Sequence, residues 1–188
     1  MKRGAGCARM RSILLAATVL FSLSGGGSAW ADEQGVAREI LGRVELQRSR
    51  GSLKIDGVPI ASRHVLPKLY ERRENTAAWT IEPLDRLRSA VDRSREDGLN
   101  PEDYHGGVLS EFASKLRQGG IDDDRRAEYD ILATDALIRL AYNLFFGKAD
   151  PNELDPDWNT LRQLQGVDPV AFLQNAMASG RLDSVLAS

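Results

Sequence analysis

Apolar side chains recur along this chain at the three- and four-residue intervals that place them on one face of a helix. Val36, Ile40, Leu41 and Val44 predict a helix over about Glu33 to Gln47. From Arg48 to Ser62 the pattern changes. Leu53, Ile55, Val58 and Ile60 flank the turn dipeptide Asp56-Gly57, which predicts a short extended, hairpin-like segment near 52–60. Ser62 is placed to cap a helix bearing Val65, Leu66, Leu69 and Tyr70, with Pro67 in its first turn, where a missing N–H costs little. Leu84, Leu87 and Val91 mark the next helix, with Gly98 as its stop, and Asn100-Pro101 restart the chain as N-cap and first helical residue. A helix near Val108 to Arg117 ends at Gly119-Gly120. The segment from about Asp124 to Phe146 is apolar over more than half its circumference, the mark of a central buried helix. Asp168-Pro169 opens a further helix carrying Val170, Phe172, Leu173 and Met177, and another begins near Leu182. The fold class is therefore mainly α, a compact multi-helix domain with one short hairpin.

The N-terminus reads differently. Lys2, Arg3, Arg9 and Arg11 precede an apolar run from Ile13 to Leu23, and Ala29-Trp30-Ala31 supplies a small-x-small ending. Together these make residues 1–31 a secretory signal peptide with cleavage after Ala31, and residues 32–188 an exported, periplasmic domain. No apolar stretch reaches the roughly 20 residues that span a bilayer, so no stable membrane span is expected after leader cleavage.

Composition sharpens this. The 188 residues carry 25 Lys+Arg, 27 Asp+Glu and one cysteine, for a net charge of −2. The four basic residues of the leader depart without any acid, taking the net charge to −6. A nucleic-acid partner is not expected, because phosphate binding needs a basic face. Cys7 departs too, leaving no thiol chemistry.

Candidate chemistry is sparse. Asp122, Asp123 and Asp124 are carboxylates in a row, but the run lacks calcium-loop spacing and reads as helix N-capping. Asp155 and Asp157 around Pro156 read as turn and cap residues. His64 and His105 stand too far apart for a zinc site, and His105 is expected to be a surface or hydrogen-bonded histidine. A small muramidase would need one carboxyl of raised pKa paired with a second in a sugar groove, and every glutamate here has a helix-surface or capping role. No catalytic, cofactor-binding or metal residue is assigned, and no cofactor is expected.

Several segments stand out in succession. These are Leu69-Tyr70-Glu71-Arg72-Arg73 followed by Ala78-Trp79-Thr80, then Gly98-Leu99-Asn100-Pro101-Glu102-Asp103-Tyr104-His105. Thr134-Asp135-Ala136, Asp150-Pro151 and Leu154-Asp155-Pro156-Asp157-Trp158 complete the series. In order and spacing, over about residues 36–188, the chain resembles the scaffold domain of large YcbB-type murein L,D-transpeptidases. Such enzymes form 3→3 cross-links in peptidoglycan through a cysteine in a Ser-x-Gly-Cys-x-Arg motif. Gly6-Cys7-Ala8-Arg9 matches only the end of that motif, lies in the leader and has no catalytic domain around it, so it reads as coincidence.

The resemblance implies a non-catalytic scaffold or interaction domain, linked to cell-wall biogenesis. Its expected partners are a transpeptidase catalytic domain, other wall-synthesis proteins or peptidoglycan itself. Tyr70, Trp79 and Trp158 are expected to close the helical core. If the domain is incomplete at its C-terminus, an apolar face near Leu182, Val185 and Leu186 is expected to stay exposed and drive self-association.

Overall fold

The computed structural model describes residues 27–147, 168–182 and Leu186. Helix α1 (Gly27–Arg50) leads into a hairpin of β1 (Lys54–Ile55) and β2 (Val58–Pro59). Then follow α2 (Val65–Arg72), α3 (Ile81–Arg93), 3-10 turns at Ser94–Asp97 and Pro101–Tyr104, α4 (Gly106–Gln118), α5 (Asp123–Phe146) and α6 (Pro169–Ala178). The described fold is mainly α, with this one antiparallel hairpin.

Local signals account for most boundaries. Asp56 and Gly57 both adopt positive φ, 49° and 79°, as a two-residue hairpin turn of the right twist requires, and Ile55 pairs with Val58 across it. The side chain of Asn100 accepts from the Glu102 amide at 3.2 Å, with Pro101 as the first residue of its turn. Asp122 accepts from the Arg125 amide at 2.8 Å to open α5, so the head of the aspartate run is a helix cap. Asp168 opens α6 in the same way through the Val170 amide at 2.9 Å.

Helix α5 is the axis. Ala127, Ile131, Leu132, Ala133, Ala136, Leu137, Ile138 and Leu140 are buried around most of its girth. Against it pack Ile40 and Val44 of α1, Leu66, Leu69 and Tyr70 of α2, Leu84 and Leu87 of α3, and Leu109 and Phe112 of α4, all in one continuous core.

Three expectations need correction. Helix α1 is longer than its apolar stripe and begins at Gly27. Ser62 does not cap α2: the cap position is His64, and the Ser62 hydroxyl is committed to Asp135. His105 takes the second of the two placements expected for it, buried at 7% exposure and hydrogen-bonded to Asp135. Leu182 and Leu186 are buried at 0% and 7% exposure, so neither forms an open apolar face. Trp158 and the Asp150-Pro151 and Asp155-Pro156-Asp157 segments lie outside the described residues.

Because α1 lays Ile40 wholly inside this core, it is part of the fold and not an appendage. Ile40→Ala should cost about 2–5 kcal/mol, the range for an aliphatic truncated in a packed interior. Urea unfolding of the variant checks this, and a loss below about 1 kcal/mol would mean α1 is only loosely docked.

Candidate functional site

The chemistry-bearing residues of the core sit on α5. Asp130 and Thr134 are one turn apart and share a face, while Asp135 lies a further 100° round the helix. Asp130, Thr134 and Asp135 are all fully buried in the middle of an otherwise apolar helix. A buried carboxylate must find donors, and each of these does.

Asp130 holds the chain between α2 and α3. Its Oδ1 accepts from the Tyr70 hydroxyl at 2.8 Å and the Ala78 amide at 2.7 Å, and its Oδ2 from the Trp79 amide at 3.2 Å. Thr134 completes the cluster. Its hydroxyl accepts from the Trp79 indole N–H at 2.9 Å, lies 2.9 Å from the Tyr70 hydroxyl and donates to the Asp130 carbonyl at 2.9 Å. Tyr70 and Trp79 thus bring large apolar bodies to the core and their polar tips to one threonine. Arg126, four residues before Asp130, donates to the Trp79 carbonyl at 2.6 Å and lies over the Phe112 ring with its guanidinium carbon 5.2 Å from the centroid.

Asp135 holds a second junction. Its Oδ1 accepts from the Ala61 amide at 3.0 Å, the Ser62 amide at 2.9 Å and the Ser62 hydroxyl at 2.7 Å. Its Oδ2 is 3.0 Å from His105 Nε2, with Arg139 Nη1 at 3.8 Å. His105 joins the second 3-10 turn to α4 at a positive φ of 59°. The ring contact with Asp135 fixes the side chain at this uncommon backbone position.

The electrostatics follow from burial. Desolvation pushes the Asp130 carboxyl above its ordinary value, opposed by the Ala78 amide, the Tyr70 hydroxyl and the Arg126 charge. The Tyr70 hydroxyl is pushed well up by burial and by the neighbouring Asp130 charge. Burial lowers Arg126, with Asp130 and Tyr70 pulling the other way.

What can this arrangement do? Ser62, Asp135 and His105 include the residue types of a nucleophilic triad. The serine hydroxyl is bonded to the aspartate and not to the histidine, however, so the nucleophile–base contact is missing. Both aspartates spend their oxygens on backbone and side-chain donors away from solvent. They are fasteners that hold loop 61–62, segment 76–80 and the turn before α4 to one helix.

Elsewhere, an open hollow of about 480 Å³ runs along one face of α3, lined by Ile81, Glu82, Asp85, Arg86, Ser89 and Arg93. There Arg117 and Arg88 hold the Asp85 carboxyl below the usual carboxylate range. Among the described residues no group of three or more His, Cys, Asp or Glu is placed to hold a metal. His64 and His105 are not brought together: His64 stands exposed at the start of α2 and His105 points to Asp135. Neither Asp130 nor Asp135 is singled out as a site by sequence reasoning. The available signal is a pair of carboxylates in the most apolar stretch of a helix that is apolar over more than half its circumference.

Asp130 gives a signed pH dependence. Its native carboxyl is raised above the unfolded value of about 3.9, so its contribution is fully present below that pH and is lost as pH rises through the native value. Asp130→Asn removes this titration. Urea midpoints from pH 3 to 7 should therefore show the variant's deficit largest at low pH and shrinking above about pH 4. A deficit that grows with pH would contradict the assignment.

Comparison with known families now bears on this geometry. A family model described as Scaffold domain matches residues 64–188, well over half of the chain. No curated protein matches, and no solved structure matches. The match begins at His64, directly before α2, and takes in Tyr70, Trp79, His105, Asp130, Thr134 and Asp135. With more than half of the chain matched, and all of this polar core but Ala61 and Ser62 inside the match, the chain belongs to the Scaffold domain family.

Proposed function

We propose that this protein is a non-catalytic scaffold and interaction domain of an exported murein L,D-transpeptidase-like protein, serving peptidoglycan cross-linking and cell-wall biogenesis. One observation carries the reading. The segments that resemble such transpeptidases, around Tyr70 and Trp79, Gly98 to His105 and Thr134-Asp135, lie far apart in sequence yet converge on the two junctions of α5. Motifs that meet in a sealed core hold architecture rather than face a substrate, and the Scaffold domain match covers the same residues.

The competing reading is a small muramidase with a carboxylate pair. It requires an acid with a raised pKa facing a groove. Asp130 has the raised pKa, but it is fully buried and its oxygens are occupied. The geometry therefore favours the scaffold.

The partners consistent with this role are a transpeptidase catalytic domain, other wall-synthesis proteins and peptidoglycan. Export to the periplasm rests on the leader signals of residues 1–31. No helix of the described residues is long and apolar enough to cross a membrane.

The test uses isolated sacculi. The purified chain alone should neither clear them nor generate 3→3 cross-links, and should bind an L,D-transpeptidase catalytic domain supplied in trans. Clearing or cross-linking by the chain alone would overturn the reading.

A further inference from the structure

The net charge of the domain conceals a local excess of the opposite sign. After leader removal the domain carries −6, yet residues 48–73 hold seven Lys+Arg against two Asp+Glu. Six of those cations, Arg48, Arg50, Lys54, Arg63, Lys68 and Arg72, are exposed. They come from adjoining pieces of structure. Arg48 at the end of α1 donates to the Pro67 carbonyl at 3.4 Å and to Glu71 at 2.7 Å, which sets that end of α1 against α2. Lys68 and Arg72 stand one turn apart on the outer face of α2, while Leu66, Leu69 and Tyr70 face the core. The hairpin carrying Lys54 joins α1 to the turn that bears Arg63.

Neither acid of the stretch is left to oppose these charges. Asp56 pairs with Arg125 of α5 at 2.5 Å, and Glu71 with Arg48. Among the described residues no side-chain hydrogen bond or ion pair holds Arg50, Lys54, Arg63 or Lys68. On other elements Arg43, Arg86, Arg88, Arg117 and Arg125 are all in ion pairs. The face also lacks apolar and aromatic anchors. Its one aromatic residue, Tyr70, is fully buried, and the exposed large hydrophobics, Leu41, Ile81, Phe145 and Phe172, lie outside residues 48–73. Such a surface can neither stack on a sugar ring nor insert into a bilayer. What it offers is unopposed cations to a polymer of fixed negative charge.

We propose that the face built from the end of α1, the hairpin and α2 docks the domain on the free carboxylates of peptidoglycan stem peptides, with Arg50, Lys54, Arg63 and Lys68 as the contacting cations. Charge complementarity selects this occupant. A domain of net charge −6 is repelled by an anionic wall unless it presents a face of the other sign. Binding of this kind is weakened by salt, with a screening length of about 10 Å at 0.1 M. The inference rests on the cell-wall reading. It deepens that reading by naming which of the proposed partners is held directly, by which face and through what chemistry.

The test sediments the exported protein with isolated sacculi. The parent protein should co-sediment at low salt and be released by about 0.5 M salt. Arg63→Gln with Lys68→Gln, and separately Arg50→Gln with Lys54→Gln, should each weaken binding about fivefold or more, the scale for removing cations from contact with a charged surface. Exposed substitutions of this kind leave the fold intact. Arg95→Gln with Lys115→Gln removes the same charge from exposed positions on other elements and should change binding less than about twofold. Capping the sacculus carboxylates as amides should abolish binding. Equal losses from the control pair, undiminished binding to capped sacculi, or a preference for phosphatidylglycerol vesicles over sacculi would each overturn the inference. A protein that ignores sacculi yet binds an L,D-transpeptidase catalytic domain would defeat this inference and leave the scaffold reading standing. Clearing of the sacculi would overturn both.

Discussion

The fold depends on where α5 places two carboxylates. Asp130 and Asp135 are wholly enclosed, and an unpaired carboxylate in such a place would cost several kcal/mol. Each must be met by donors, and most of those donors are backbone amides of non-helical chain: Ala61, Ser62, Ala78 and Trp79. That requirement reaches outward. It fixes the loop entering α2 and the segment entering α3, and through His105 it fixes the start of α4. Helices that could otherwise slide on a greasy axis are held at their connections, because shifting any of them would leave a buried charge without partners.

This arrangement suits a scaffold better than a site of reaction. Catalytic carboxylates keep an oxygen for substrate, whereas these spend theirs on the protein itself. The outer faces are governed by separate, weaker forces. Ion pairs such as Arg48 with Glu71 and Arg86 with Glu82 lie on exposed surface, where each contributes little. A rigid interior with a surface decoupled from it leaves the outer faces free to serve contacts.

Much of the helical layout was legible in the sequence because its signals are local. Asn100, Asp122 and Asp168 cap within three residues of themselves, and Asp56-Gly57 turns the hairpin without outside help. The polar core was not legible for the opposite reason. Tyr70 and Asp130 are 60 positions apart, and Ser62 and Asp135 are 73 apart, so neither pair leaves a trace in periodicity. Ser62 shows the conflict directly. Its type and position fit a helix cap, yet the buried carboxylate of Asp135 is the stronger claimant and takes the hydroxyl. For His105 a hydrogen-bonded placement is among those the sequence allows, but a histidine beside a glycine pair in a turn carries no sign that its partner is the aspartate thirty residues later.

The central claim is that the buried carboxylates, and not the loops' own structure, hold those connections in place. Native-state hydrogen exchange tests it at the amides of Ala61, Ser62, Ala78 and Trp79, none of which belongs to a helix or strand. The account predicts protection comparable to that of amides in the middle of α5, because they open only when the core opens. Exchange at the rate of ordinary surface loops would show that the carboxylates do not fasten the chain, and would contradict it.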